Sequence, residues 1–157
     1  MPSLVSLIKF EEGWRARPYI CKLGYPTVGY GFKLGPKGAD IKLYDFLLPK
    51  SAGDMWLIEF LDETLEEMMT HPALQAALAA CAGCEARIAV LISMAYQMGV
   101  PKLLDFKKAL QAITDKDWDT ARKQMLASLW ASEKQTPARA QRHAMQMQSG
   151  TWFAGYE

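Results

Sequence analysis

From Trp14 to Gly38 the helical spacing that governs the rest of the chain disappears, and that break limits the fold more than any other feature. Gly24, Gly29, Gly31, Gly35 and Gly38, with Pro18, Pro26 and Pro36, alternate there with Tyr, Ile, Val and Phe. Such alternation between turn formers predicts two or three short antiparallel strands. A sheet that small does not stand alone in water and must lean on helices. Ahead of the break, Leu4, Leu7 and Ile8 fall at helical spacing between Ser3, an N-cap residue, and Gly13, a C′ glycine. After it, Ile41 to Leu48 reads as a short helix closed by Pro49. Asp54 reads as the cap of "DMWLIEFLDETLEEMMTH", in which Trp56, Leu57, Phe60, Leu61, Leu65 and Met68 share one stripe. "PALQAALAAC" continues as a helix, and "EARIAVLISMAYQM", apolar almost all round, marks the most buried one, ended by Gly99. "LLDFKKALQAI", "DKDWDTARKQMLASLW" and "TPARAQRHAMQM" follow as three more. Asp115 and Thr136 suit their N-caps, and Pro137 suits a first turn.

The expected fold class is therefore α+β, predominantly α, in a single domain over residues 1–157. It has two lobes. Residues 14–53 hold a small antiparallel β-sheet, residues 1–13 and 70–157 form a helical lobe, and a helix over 54–70 connects them beside a groove. A chain of this length buries about 68–70% of its unfolded surface, enough for a core. Formal net charge is +1, which gives no global field toward nucleic acid or an anionic membrane. The basic residues of "TPARAQRHAMQM" make no patch, so nucleic-acid binding is not expected. The apolar stretches are broken within about ten residues, half of what a membrane-spanning helix needs. The opening "MPSLVSLIKFEEGW" lacks the charged and apolar regions of an export signal.

Three cysteines, Cys21, Cys81 and Cys84, exclude a dense disulfide framework. "CAGC" has C-x-x-C spacing, but a zinc site lacks its second pair and a redox motif lacks its preceding strand. Two ordinary helix-start cysteines are expected, with a disulfide between them the alternative. No cofactor and no metal is called for.

Glu12 sits at the C-terminal end of the first helix, an electrostatically poor place for a carboxylate. It therefore has a cationic partner or a chemical task. If the strands fold back on that helix, Glu12, Cys21 and Thr27 reach one cleft. A glutamate at an apolar helix end suits a general acid, and a thiol with a hydroxyl suits holding or activating a water. The same residues also read, more plainly, as a solvated acid, a small buried cysteine and a strand threonine.

"FEEGWRARPYICKLGYPTVGYGF" resembles the signature of the phage-type lysozymes, glycoside hydrolase family 24. Its members carry a helix ending in E-G, then R-x-x-x-Y, an acid, and a glycine-rich run with T-I/V-G-x-G. The matching residues are Glu12-Gly13, Arg15, Tyr19, Cys21, Gly24, Thr27-Val28-Gly29 and Gly31. "SMAYQMG", "KDWDTARKQMLASLWASEKQTPARAQR" and "SGTW" resemble three later family segments in the right order.

The resemblance implies the two-lobed lysozyme fold and hydrolysis of the β-1,4 bond between N-acetylmuramic acid and N-acetylglucosamine. It implies Glu12 as general acid and Arg139 as the cation that pairs with and orients it. Cys21 stands where most relatives have Asp, acting with Thr27 on the attacking water; a minority of phage endolysins carry Cys there. Inversion through a bound water is favoured, and covalent attack by the thiol is the alternative. Tyr25, Tyr96, Gln97 and Gln124 match or neighbour cleft positions that would bind sugar. Trp118, Trp130 and Trp152 are expected as core anchors, and Phe32 replaces the family's histidine. The implied partner is peptidoglycan, with no stable membrane insertion, for a monomer made in the host cytoplasm and released through a holin-type pore to lyse the cell. A non-catalytic protein of the same fold, gripping the wall or a phage partner, is the runner-up.

Overall fold

The computed structural model describes residues 1–132 and 135–157. Glu133 and Lys134, part of the "SEKQTP" match, lie outside the described residues. The elements are α1 (Leu4–Glu12), β1 (Arg15–Ile20), β2 (Pro26–Gly29), β3 (Phe32–Lys33), a 3-10 turn (Ile41–Leu43) and α2 (Lys50–Met69). They continue as α3 (Pro72–Ala80), α4 (Glu85–Met98), α5 (Val100–Leu104), α6 (Lys107–Thr114), α7 (Trp118–Leu126), a 3-10 turn (Leu129–Ala131) and α8 (Pro137–Ser149). The chain is mainly helical with one small antiparallel sheet, the α+β class expected. Two compact units divide it, one of Ile8–Phe60 and one of Met1–Leu7 with Leu61–Glu157.

In the unit of residues 8–60 the strand order is β1-β2-β3. Tyr19 pairs with Thr27 and Thr27 with Lys33, while Val28 pairs with Phe32. Because a strand's side chains alternate, these rows lie on opposite faces. Val28 and Phe32 are buried. The Phe32 ring meets Phe60 at 5.1 Å and Trp56 at 5.8 Å. This changes the stripe expected on α2: Leu57, Leu61 and Met68 are buried, whereas Trp56 and Phe60 stay 40% and 38% exposed. The two aromatics occupy the adjacent row of the helix and cover Phe32 instead of entering the core.

Asp54 is not a cap. The helix begins one turn earlier, with the Gly53 amide donating to the Pro49 carbonyl at 3.0 Å. The Asp54 carboxylate instead accepts from the Tyr30 hydroxyl at 2.9 Å and pairs with Lys9 at 2.9 Å. The expected helix over Ile41 to Leu48 is only a 3-10 turn of Ile41–Leu43, capped by Asp40, whose side chain accepts from the Lys42 amide at 3.0 Å.

In the other unit, α4 carries an unbroken buried run from Ala89 to Ala95, as its all-round apolarity predicts. It packs on α5 and α8, while α6, α7 and α8 neighbour one another in sequence order and α3 lies on α6. The expected "LLDFKKALQAI" helix is broken at Asp105–Phe106. Phe106 leaves the helical path, and its ring meets Trp130 edge-on at 6.1 Å. Asp115 ends α6 instead of starting α7. The N-cap is Asp117, whose carboxylate accepts from the Thr120 amide at 3.1 Å. Thr136 does precede α8, but its hydroxyl accepts from the Gln97 amide at 3.2 Å instead of capping. Of the three tryptophans expected as anchors, only Trp130 is buried. Trp118 is half-buried beneath the Arg87 guanidinium, 3.8 Å from its centroid, and Trp152 is half-buried too.

His143, unassigned in the sequence, is fully buried. Its Nε2 lies 2.7 Å from the Ser93 hydroxyl, and its Nδ1 lies 3.4 Å from the Tyr156 hydroxyl. Arg139 donates to the same Ser93 oxygen at 2.9 Å, so the Ser93 proton is free to go to His143 Nε2. Burial, then the Arg139 and Arg142 charges, holds the imidazole well below its ordinary range, and it stays neutral in the fold. The unfolded histidine takes up a proton below about pH 6.5, so the unfolded state binds more protons there and stability falls on acidification. Thermal melts from neutral pH downward should show Tm dropping through that window, with a shallower drop in His143→Gln. An equal slope in both proteins counts against the neutral imidazole.

Candidate active site

The site begins where α1 stops. The Gly13 amide closes the helix on the Lys9 carbonyl at 3.1 Å and leaves Glu12 in the last turn. Across from it, the Gly29–Tyr30–Gly31 turn brings the bare Cα of Gly31 against the glutamate. A Cβ there would stand 2.9 Å from Glu12 Oε2, and Gly31 already holds φ +79°. No side chain fits that place without moving the carboxylate.

Cys21 lies just past β1, in the turn that returns the chain to β2. Its amide donates to the Tyr25 carbonyl at 2.9 Å, and its carbonyl accepts from Gly24 at 2.8 Å. Partial burial pushes the thiol up, but backbone amides of Tyr25, Leu23 and Gly24 and the Thr27 hydroxyl together outweigh it. The net result is a thiol more acidic than usual. Thr27 is 3% exposed, and its hydroxyl donates to the Tyr25 carbonyl at 2.9 Å.

Tyr19 links the parts. It faces Thr27 across the β1–β2 ladder, and the Arg15 guanidinium lies 4.7 Å from its ring centroid. Burial raises its phenol above the ordinary range against the pull of Arg15, and the nearby charges of Cys21 and Glu12 raise it further. One phenol thus feels both the carboxylate and the thiol, while its strand partner is the threonine. The sequence carried Tyr19 only as a motif letter, although Arg15 and Tyr19 sit four apart on one strand. Gly31 likewise drew notice only as a turn residue and a motif letter.

The remaining candidates divide by unit. Tyr25 belongs with Glu12, Cys21 and Thr27 and is half-buried, with the Lys33 ammonium 4.3 Å from its ring centroid. Arg139, Tyr96, Gln97 and Gln124 belong to the helical unit. Arg139 is 5% exposed and donates to Ser93. The Gln97 amide donates to Thr136, and its carbonyl accepts from the Trp130 indole at 2.9 Å. Tyr96 and Gln124 are half-buried. Among the described residues no group of three or more His, Cys, Asp or Glu side chains is placed to hold a metal ion. No described helix is long and apolar enough to cross a membrane. Cys81 and Cys84 are free thiols, Cys81 ending α3 and Cys84 preceding α4, where its thiol donates to the Gly150 carbonyl at 3.4 Å.

Two measurements probe this geometry. Burial pushes the Cys81 thiol up to about 11, against a smaller opposing pull from Arg87. Iodoacetamide should therefore modify Cys21 at least about tenfold faster than Cys81 in peptide mass maps, because only thiolate reacts. Similar rates would remove the acidic-thiol assignment. Gly31→Ala should destabilise by about 1–2 kcal/mol from backbone strain alone, and further from the Glu12 contact. Gly38→Ala, with φ +82° and nothing within 4 Å, carries the strain without the contact. A larger melting-point loss in Gly31→Ala that disappears when Glu12→Ala is added would check the close approach.

A carboxyl at a helix end, an acidified thiol and a buried hydroxyl can give a proton and take one, as general acid–base cleavage of a polar bond requires. The phage lysozyme family model matches residues 9–146, a span that contains Glu12, Cys21, Thr27 and Arg139. The chain is also similar to a probable T4-type lysozyme 1 of Dictyostelium discoideum, 26% identical over 166 positions that cover 95% of each chain. The chain belongs to the phage lysozyme family.

Proposed function

We propose that the protein is a muramidase, cleaving the β-1,4 bond between N-acetylmuramic acid and N-acetylglucosamine of peptidoglycan to lyse a bacterial host. The observation that carries this reading is geometric: Glu12 ends α1 against the bare Cα of Gly31, Cys21 lies in the turn between β1 and β2, and Thr27 is buried on β2 opposite Tyr19. In this reading Glu12 protonates the leaving glycosidic oxygen. Cys21, aided by the Thr27 hydroxyl, holds the attacking water and takes its proton; its lowered pKa supports that part because more of it is thiolate than in an ordinary cysteine. Water attack implies inversion at the anomeric carbon, whereas attack by sulfur itself implies retention. Tyr25, half-buried beside Thr27, is the preferred sugar-face contact. The part assigned to Arg139 rests on the family's pattern alone, as do the sugar contacts of Tyr96, Gln97 and Gln124. The reading takes residues 1–157 as one lysozyme-like domain acting as a monomer, with peptidoglycan as substrate and release through a holin-type pore.

Clearing of outer-membrane-permeabilised cells is the direct test. Glu12→Gln should lower the rate about 10²–10⁴-fold, the usual worth of a positioned general acid. A purified variant that clears cells as fast as the parent would end the assignment, and with it the preference over a wall-binding protein that does not cut. Cys21→Asp should stay active. Because Glu12 must be protonated and the base deprotonated, the parental pH profile should be centred at higher pH than that of Cys21→Asp, whose base ionises near about 3.9. Proton NMR of the first-formed anomer separates water attack from sulfur attack.

A further inference from the structure

We propose that Arg15 and Lys33, on the polar face of the sheet, bind carboxylates of the peptide stems in the cell wall, and so add an electrostatic wall-binding surface to the site. This rests on the muramidase reading above. The whole chain is almost neutral at +1, yet residues 13–39 contain Arg15, Arg17, Lys22, Lys33 and Lys37 and no Asp or Glu. Glu11, Glu12 and Asp40 flank the stretch, so the positive character is confined to the strands and turns between them and acts at short range.

The sheet gives that charge a direction. Val28 and Phe32 form its buried face, so Tyr19, Thr27 and Lys33, paired in one row across the three strands, form the other. Arg15 joins that face by stacking on Tyr19 at 4.7 Å, and the Lys33 ammonium lies 4.3 Å from the Tyr25 centroid. Both cations are exposed, and each is held over an aromatic ring instead of being left to swing freely. Lys33 ends the row that contains Thr27, and Arg15 stacks on Tyr19 at its other end. A neutral sugar has no need of such a pair, whereas a glycan bearing anionic peptides does. Guanidinium and ammonium groups recognise carboxylate by charge-assisted hydrogen bonds, and prior stacking lowers the entropy lost on binding. The occupant inferred is the stem carboxylate and not a wall phosphate, because the stems hang from the very glycan to be cut.

The test uses full-length protein carrying Glu12→Gln, so that walls are bound without being cut, and purified insoluble sacculi freed of phosphodiester polymers. Arg15→Gln with Lys33→Gln should weaken co-sedimentation about three- to tenfold at low salt, the sum expected of two exposed charge pairs. Arg15→Lys with Lys33→Arg should restore it. The difference should vanish near about 1 M salt, where screening acts within about 3 Å. Sacculi whose carboxylates have been amidated should bind the Arg15/Lys33-intact protein as weakly as untreated sacculi bind the double variant. In the active enzyme the same pair of changes should raise KM for walls with little effect on kcat, and the small Tm loss from the two stacking contacts should not scale with the KM change. Unchanged binding by the double variant, indifference to amidation, or binding that appears only on walls retaining phosphate polymers would each overturn the proposal. If the wild-type chain clears no cells at all, the muramidase reading fails first and this inference falls with it; clearing that ignores both cations sinks only the inference.

Discussion

The Gly29–Tyr30–Gly31 turn is the constraint on which the unit of residues 8–60 depends. A Cβ at Gly29 would stand 2.6 Å from the Phe32 ring, and one at Gly31 would stand 2.9 Å from the Glu12 carboxylate. Only the middle residue has room for a side chain, and it goes inward. The Tyr30 ring is 1% exposed, 4.9 Å from Trp14 and 6.1 Å from Phe32. Its hydroxyl reaches Asp54 on α2, which also takes Lys9 from α1. The Lys9–Asp54 pair is about a third exposed on each side, and such pairs contribute little alone. The buried ring supplies the larger share, and the polar contacts fix its orientation. Helix α1, the sheet and α2 therefore meet at one side chain, and the position of Glu12 follows.

In the proposed mechanism, that arrangement lets a glycine-rich corner serve chemistry. General acid–base work demands groups held within a fraction of an ångström, which mobile side chains do not provide. Here the acid is bounded by backbone, and the thiol sits in a tight turn among amides that favour its charged form. The threonine is locked in a ladder between Tyr19 and Lys33. The helical unit supplies the larger core, and its fully buried histidine is held neutral by burial and then by the Arg139 and Arg142 charges.

Much of this was legible in the residues. The break at Trp14–Gly38, the all-apolar α4 and the proline-started α3 and α8 are local properties, and local rules recover them. The places of Glu12 at a helix end, Cys21 in a turn and Thr27 on a strand were legible because glycines punctuate those elements. What failed were mostly features decided at a distance, with one cap misplaced by two residues. Asp54 looked like a cap until Tyr30 and Lys9 took its carboxylate, and Asp115 looked like one while Asp117 had the amide in range. Trp56 and Phe60 looked like core until a single strand residue, Phe32, drew them to the helix flank.

The sequence by itself determined the order of elements, the helical majority, the small sheet and the family, because periodicity, turn chemistry and motif order are written along the chain. Tertiary structure alone decided that Gly31 touches Glu12, that Tyr19 feels both Glu12 and Cys21, and that Arg15 and Lys33 share a face with Thr27. The physical reason is register. A strand slipped by one residue would turn Thr27 and Lys33 to the buried face and Phe32 out of it, and no property of the individual residues forbids that slip. The packing of Tyr30 and Phe32 does.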